Sequence, residues 1–225
     1  TAYVTFDRHR EGDWSPYVFR TDDYGQTWQD LSDDLPSGSI NVILEHPDNP
    51  NVLFLGTEHA VFISMNSGND WVEFNSNLPT TLYDDMVIHP REKDLVLGTH
   101  GRSFWVLDDT APLAEWSESS DSPVHIYSIR PTTLFHYWKD TSYRGQEEWT
   151  GPNPDYGAII NFIVNSNEGQ AVIEIKRRNK TIRSYQLSVS PGVINRFVWD
   201  LKHPPPPFIE NNKETPGLIK PDKSE

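Results

Sequence analysis

The chain of 225 residues contains no cysteine. This absence excludes a disulfide framework, a thiolate nucleophile and a zinc site with Cys ligands. Basic residues are also few, because 19 Lys and Arg stand against 33 Asp and Glu and give a formal net charge of −14 at pH 7. A protein that binds nucleic acid places positive charge along the phosphates, so this composition argues against nucleic acid as a partner.

Long apolar runs are missing as well. No stretch approaches the roughly 20 consecutive apolar residues of a membrane helix, and the N-terminal residues lack the charged and then apolar layout of a signal peptide. With 36% hydrophobic residues, 12% aromatic residues and 18 prolines, the composition is typical of a globular protein with many short elements. We expect a soluble chain without a membrane span. Its start at Thr1, directly in a strand-like run, predicts a piece of a longer protein.

The chain contains an internal repeat with an offset of 43 residues. Two dipeptides recur at this offset: His46-Pro47 returns as His89-Pro90, and Leu35-Pro36 returns as Leu78-Pro79. A third copy, around residues 107–111, has lost the Gly and the Trp. The repeated motif occurs first as Thr21, Asp23, Gly25 and Trp28, and then as Ser64, Asn66, Gly68 and Trp71.

Short β-branched and aromatic runs within each copy predict strands separated by turns. For the second copy the strands are expected at residues 40–45, 52–55, 61–64 and 71–74; for the third copy, at 86–88, 95–97 and 104–107. Four short antiparallel strands per repeat of about 40 to 45 residues form a blade of a β-propeller. In the motif, the Asp accepts backbone N–H groups in a turn, the Gly supplies a positive φ, and the Trp packs between blades. We therefore assign these motif residues a structural role.

The motif Ser/Thr-x-Asp-x-Gly-x-Thr-Trp resembles the Asp box, or BNR repeat. This repeat occurs in the propellers of sialidases, of xyloglucanase-type glycoside hydrolases and of sortilin-type receptors. The resemblance covers residues 1–115 and implies a secreted, extracellular or periplasmic protein of a bacterial class. It predicts the fold better than the function, because the repeat occurs on enzymes and receptors alike.

The predicted fold is all-β. A partial propeller of about 2.7 four-stranded blades is followed by an incomplete immunoglobulin-like sandwich. Because closed propellers typically have about 4 to 8 blades, the remaining blades of the parent chain are expected as partners. The predicted division is residues 1–115 for the last blades, 116–157 for a linker and extended segment, 158–202 for the partial sandwich and 203–225 for a Pro-rich tail.

Within the second half, residues 125–137 read as one extended strand-like run. Four alternating runs, at residues 158–165, 171–178, 182–189 and 195–202, are separated by short turns and are expected to pair as an antiparallel meander. Residues 191–201 resemble part of the sandwich that follows such propellers in bacterial secreted proteins. The tail is expected to adopt polyproline II or to be disordered.

In a four-stranded blade, the turn between strands two and three and the loops between blades lie opposite the boxes. In the families resembled, that face carries the ligand site, which gives the candidates Asp33, Asp34, Glu58, His59, Asp84, Asp85, His100 and Arg102. No metal or cofactor motif is present. The main hypothesis is a non-catalytic structural and binding module for protein or glycan partners. The alternative is a fragment of a glycoside hydrolase acting on polysaccharide, with Asp84 or Asp85 as a catalytic carboxylate.

Overall fold

The computed structural model describes residues 1–119, 122–134, 155–166 and 169–204. This part of the chain is almost entirely β-structure, with one 3-10 turn at His9–Glu11 and two short helices, α1 (Ala111–Ala114) and α2 (Trp116–Ser119). None of the helices described is long and apolar enough to cross a membrane. The strands are β1 (Ala2–Thr5), β2 (Val18–Thr21), β3 (Gln29–Asp30), β4 (Ile40–His46), β5 (Asn49–Thr57), β6 (Val61–Ser64), β7 (Val72–Glu73), β8 (Tyr83–Ile88), β9 (Leu95–Thr99), β10 (Phe104–Leu107), β11 (Val124–Ile126), β12 (Ala158–Val164), β13 (Gln170–Arg177), β14 (Lys180–Ser188) and β15 (Ile194–Trp199).

The second repeat forms one complete antiparallel blade. Strands β4, β5, β6 and β7 lie side by side in chain order, at the positions that the repeat predicts. The third strand has the predicted bounds, whereas the second strand is longer and the fourth consists of only two residues. The short β-branched and aromatic runs located these strands because successive side chains of a strand point to opposite faces and so enter the core on either side of the blade.

Two incomplete blades flank the complete one. The first contains β1, β2 and β3, and the third contains β8, β9 and β10 in antiparallel order. After β10 the chain enters α1 instead of forming a fourth strand, which agrees with the loss of the Gly and the Trp from the third copy. The structure and the repeat together establish an all-β fold with a partial propeller.

Two hydrophobic clusters hold the three blades together. One lies between the first and second blades and includes Val18, Leu31, Leu55 and Trp71. The other lies between the second and third blades and includes Phe54, Tyr83, Met86 and Leu97. The indole N–H of Trp71 donates to the carbonyl of Leu31 at 2.8 Å, so the ring is fixed by a hydrogen bond as well as by packing. The second blade is therefore buried on both faces.

Two predictions for the second half are wrong. Of the extended run expected at residues 125–137, residues 125–126 belong to the strand Val124–Ile126 and residues 127–134 have no regular structure, while residues 135–137 lie outside the described residues. The expected meander is replaced by two sheets: β12 lies between β11 and β15, whereas β13 and β14 form a separate hairpin. The physical reason is that β12 is buried along its whole length. A strand without a solvent face takes a central position, while the alternating strands β13 and β14 pair with each other.

The two sheets of the second half pack face to face over one apolar cluster. Its members come from β12, β13, β14 and β15, and the Tyr185 and Phe197 rings meet across it with centroids 4.8 Å apart. The shared apolar face expected from the alternation is therefore present. The immunoglobulin-like assignment stays a prediction. Residues 120–121 and 135–154 of the predicted linker and extended segment, and residues 205–225 of the predicted tail, lie outside the described residues.

A buried polar junction joins the third blade to the second half. The amide of Asn161, on β12, donates to the carboxylate of Asp109 at 2.8 Å, and both residues are buried. Beside it, the Arg130 guanidinium donates to Asp94 and to the carbonyl of Glu92, both at 3.0 Å. These contacts attach the blade to the sandwich at a defined position.

Candidate functional site

The first box, residues 21–28, is a turn in which the side chains of Thr21, Asp23 and Thr27 hydrogen-bond to one another. The Asp23 carboxylate accepts the backbone N–H and the hydroxyl of Thr27 at 2.9 and 2.7 Å, and the Thr21 hydroxyl at 2.8 Å. These hydrogen bonds, the backbone one first, lower the pKa of Asp23 to about 2. Gly25 has a φ of 85°, a left-handed conformation that glycine adopts without strain. The box is therefore a structural turn.

The second box, residues 64–71, makes the same turn with the donor and acceptor exchanged. Asn66 replaces the Asp and Asp70 replaces the Thr. The Asn66 amide oxygen accepts the Asp70 backbone N–H at 3.0 Å, while its amide nitrogen donates to the Asp70 carboxylate at 2.5 Å. A carboxylate and a donor thus still face each other, and the departure from the motif at two positions is compensated within the turn.

The candidate residues lie at the opposite end of the blades from the boxes. We define the turn face as residues 6–17, 31–39, 58–60, 75–82 and 100–103, which connect strands or blades at that end. Glu58 and His59 form the β5–β6 turn, and His100 and Arg102 lie in the β9–β10 turn. Asp33 and Asp34 lie exposed between β3 and β4. The candidates therefore share one face, spread over three blades.

Asp84, on β8, and His100, in the β9–β10 turn, are brought together. Their Oδ2 and Nδ1 atoms are 3.4 Å apart, and both side chains are more than half exposed. The backbone N–H of His100 donates to the carbonyl of Leu82 at 2.9 Å, which fixes the turn against the entrance of β8. Asp85 is exposed and accepts the N–H of Met86. The carboxylate and the imidazole therefore form a solvent-exposed pair and do not lie in a buried pocket.

The innermost strands of the second and third blades share a register irregularity near this face. In β4 it lies between Ile40 and Val42, and in β8 between Tyr83 and Asp85. The skipped residues, Asn41 and Asp84, are 43 positions apart and so are equivalent in the repeat. Bulges of this kind redirect a side chain and are frequent next to binding sites. Reasoning from the sequence missed Asn41, which carries no charge.

A cavity of about 200 Å³ lies between the first and second blades on this face. Ser37 and Gly38 line one side, His59 and Phe62 another, and Glu73 and Thr80 the third. Glu58 lies 4.0 Å from the imidazole of its neighbour His59. The cavity combines an apolar floor with a carboxylate and an imidazole at its margin, which is the composition of a small recognition pocket.

A long loop at residues 6–17 was missed by reasoning from the sequence. It connects β1 to β2, where the second and third blades have the short turns 58–60 and 100–103. It is attached to the loop beside the cavity, because the N–H of Gly38 donates to the carbonyl of Trp14 at 2.8 Å and the Ser39 hydroxyl donates to Asp7 at 2.7 Å. The signal that could have revealed it is the extra length between the first two strands of the first copy.

A second, larger cavity lies in the sandwich. It measures about 790 Å³ and lies between the β11–β12–β15 sheet and the β13–β14 hairpin, lined by Val124, Ile126, Phe162, Ile173 and Leu187 among others. None of the sequence candidates lines it. Within the described ranges, no three His, Asp or Glu side chains come together to hold a metal ion.

Comparison with known proteins gives one finding. A family model described as Sortilin-Vps10, "Sortilin, neurotensin receptor 3", matches residues 16–184. The matched range is more than half of the chain and runs from just before β2 into β14. Searches of curated proteins and of solved structures gave no significant match.

Proposed function

The chain belongs to the Sortilin-Vps10 family, and from that premise we propose that it is a non-catalytic binding module whose turn face takes a positively charged segment of a protein partner. The observation that carries the proposal is the charge of that face. Asp33, Asp34 and the half-buried Glu58 lie on this face, and the exposed Glu73, Asp84 and Asp85 lie on β7 and β8 where these strands adjoin it. Against these carboxylates stand Arg10 and Arg102, the cations of the face that have no ion-pair partner among the described residues.

The arrangement of these charges suits recognition better than chemistry. The acidic groups are distributed over three blades, and one of them, Glu73, lines a cavity that is already formed. A dispersed negative surface steers a cationic ligand and raises the rate of association, particularly at low salt. A neutral polysaccharide would gain nothing from these charges, so the acidic surface supports a protein partner over a glycan.

The end of the blades that carries the boxes differs from the turn face, and this difference supports the turn face as the binding surface. The side chains of Asp23 and Thr27 in the first box, and of Asn66 and Asp70 in the second, are hydrogen-bonded within their own turns. These motif residues therefore serve the turns rather than a ligand. An extracellular or periplasmic location and further blades of a parent chain belong to this proposal and rest on the family resemblance.

The decisive experiment measures binding of the full chain to a Lys- and Arg-rich peptide by calorimetry. An acidic peptide of equal length and a neutral oligosaccharide serve as comparison ligands. We expect the basic peptide alone to bind and its affinity to fall as salt increases. The variant Asp33→Asn/Asp34→Asn should weaken binding several-fold, whereas Glu174→Gln, which removes an exposed carboxylate from the sandwich, should leave it unchanged. Equal affinity for the acidic peptide would overturn the proposal.

Assays of polysaccharide hydrolysis test the alternative function. If the wild-type chain hydrolyses a polysaccharide and Asp84→Asn or Asp85→Asn abolishes the activity, the chain is a glycosidase and the binding-module proposal is wrong. Absence of hydrolysis together with peptide binding supports the module. The exposure of both carboxylates and the pairing of Asp84 with an imidazole favour this second outcome.

A further inference from the structure

We infer that the loop of residues 6–17 selects the ligand of the turn face, with Trp14 as the aromatic anchor for a Lys or Arg side chain of the bound peptide. The inference rests on the proposed function and adds to it the element and the residue that determine specificity. It depends on the position of the loop, its internal rigidity and the chemistry that it exposes.

The loop lies beside the cavity on the turn face. Its Trp14 carbonyl accepts the N–H of Gly38, a residue that lines the cavity. The segment containing Gly38 also carries Asp33 and Asp34, both exposed. A cation stacked on the indole would therefore lie next to a segment with two carboxylates, which is the charge complementarity that the inference requires.

The loop is held in one conformation by its own polar groups. The Asp7 carboxylate accepts the backbone N–H of His9 at 3.0 Å and the hydroxyl of the buried Ser39, and these bonds lower the pKa of Asp7 to about 2. Asp13 accepts the N–H of Ser15 and the hydroxyl of Tyr17. A loop fixed before binding loses little conformational entropy on binding, which makes it suitable as a recognition element.

The loop exposes two large aromatic side chains. Trp14 is 51% exposed and Phe6 is 49% exposed. The charge of Arg8 is matched by Glu11 and by Asp13, 3.2 Å away. An exposed indole on a rigid loop binds cations over its face at about 6 Å or less, and Trp is the strongest of the aromatic residues in this role. Trp is also enriched among the residues that dominate binding energy at interfaces.

The test compares Trp14→Ala with Trp28→Ala in calorimetry with the Lys- and Arg-rich peptide. Trp28 is a matched control, because it is 45% exposed and lies in the first box, at the other end of the blade. We expect Trp14→Ala to weaken binding by about tenfold or more and Trp28→Ala to change it by less than about twofold. Trp14→Phe, which keeps an aromatic face, should lie between wild type and Trp14→Ala. Thermal unfolding of each variant checks that the fold is retained.

The variant Arg10→Gln separates this reading from anion recognition by the same loop. Arg10 is an exposed cation on the 3-10 turn, so removing it should leave the affinity for the basic peptide unchanged or increase it. A loss of affinity would overturn the inference. If wild type binds the peptide and Trp14→Ala binds it equally well, the loop inference is wrong while the proposed function stands. If wild type does not bind the basic peptide, the proposed function is wrong.

Discussion

At the level of single residues, the two boxes show how one turn tolerates a change of chemistry. In the first box a hydroxyl donates to a carboxylate, and in the second an amide donates to a carboxylate that has moved to the partner position. The contact between the two side chains is preserved although both residues differ. A comparison by residue identity scores these positions as mismatches, whereas the hydrogen-bonding pattern identifies them as equivalent.

The first box predicts a pH-dependent contribution to stability. The folded-state pKa of Asp23 is about 2, below its ordinary value of 3.8, so its contribution is complete above about pH 4 and is lost as the pH falls toward 2. We expect Asp23→Asn to be less stable than wild type at pH 6, with a difference that narrows toward pH 2. Melting temperatures of both proteins across this range check the prediction, and a constant difference would contradict it.

The second box predicts a pH-dependent loss of stability for the variant Asn66→Asp. This change places two carboxylates in contact, since the Asn66 amide touches the Asp70 carboxylate, and they repel each other when both are ionised. We expect the variant to be destabilised at pH 7 and to recover part of its stability as acid protonates one of the pair. The control is Asn69→Asp in the same turn, whose amide donates to a backbone carbonyl instead. Equal pH profiles for the two variants would argue against the explanation.

His46 predicts a second pH effect, at a higher pH. The imidazole is buried, accepts the N–H of Asp48 and contacts the Thr110 hydroxyl at 3.0 Å. Burial lowers its pKa below 6.5, with Asp48 and Lys93 as the charged groups that face it. The folded state therefore disfavours protonation, and the stability that the neutral ring contributes is present above its ordinary pKa of 6.5 and is lost as the pH falls below it.

The variant His46→Asn should remove this loss of stability, as measured by urea unfolding at several pH values. The control is His89→Asn, at the equivalent position of the repeat. His89 is exposed, so its replacement should leave the slope of stability against pH unchanged. The explanation fails if His46→Asn keeps the wild-type slope.

At the level of elements, the strands could be predicted from the sequence because their cause is local. The strand at residues 61–64 has the predicted bounds, since apolar side chains on both faces are followed directly by a box. The neighbours of β12 could not be predicted in this way, because they depend on contacts with β11 and β15 that are distant in the sequence. The contact of Asp84 with His100 joins a strand to a turn, and neither residue indicates the other in the sequence.

The packing between blades predicts unequal roles for the two Trp residues of the boxes. Trp71 is buried between the first and second blades and donates to the Leu31 carbonyl, whereas Trp28 is 45% exposed. We expect Trp71→Ala to lower the free energy of unfolding by about 3–5 kcal/mol and Trp28→Ala to lower it by about 0.5 kcal/mol. Chemical denaturation measures both values. Similar losses for the two variants would show that the exposed Trp is also packed in solution.

At the level of the whole molecule, the family and the partial propeller follow from the repeat, whereas the connection of the propeller to the sandwich does not. The Asp109 that joins the two parts lies in the third copy of the repeat, where the box has degenerated. Its partner Asn161 lies in a strand that reads as a continuous apolar run apart from this one residue. A buried amide at the centre of such a strand is a signal for a specific polar contact, but the sequence does not tell with which residue.

This junction predicts that the blades and the sandwich unfold together. Replacement of Asn161 by Ala leaves the buried Asp109 carboxylate without its amide donor, which should cost about 1–3 kcal/mol and loosen the contact between the two parts. We expect wild type to show one thermal transition and Asn161→Ala to show a broader or divided one.

Asn165→Ala is the matched control, because that amide is exposed and donates to a carbonyl beside β11. Asp109→Ala/Asn161→Ala should lose less than the sum of the single variants, since the two groups act as a pair; strict additivity would show that they contribute independently.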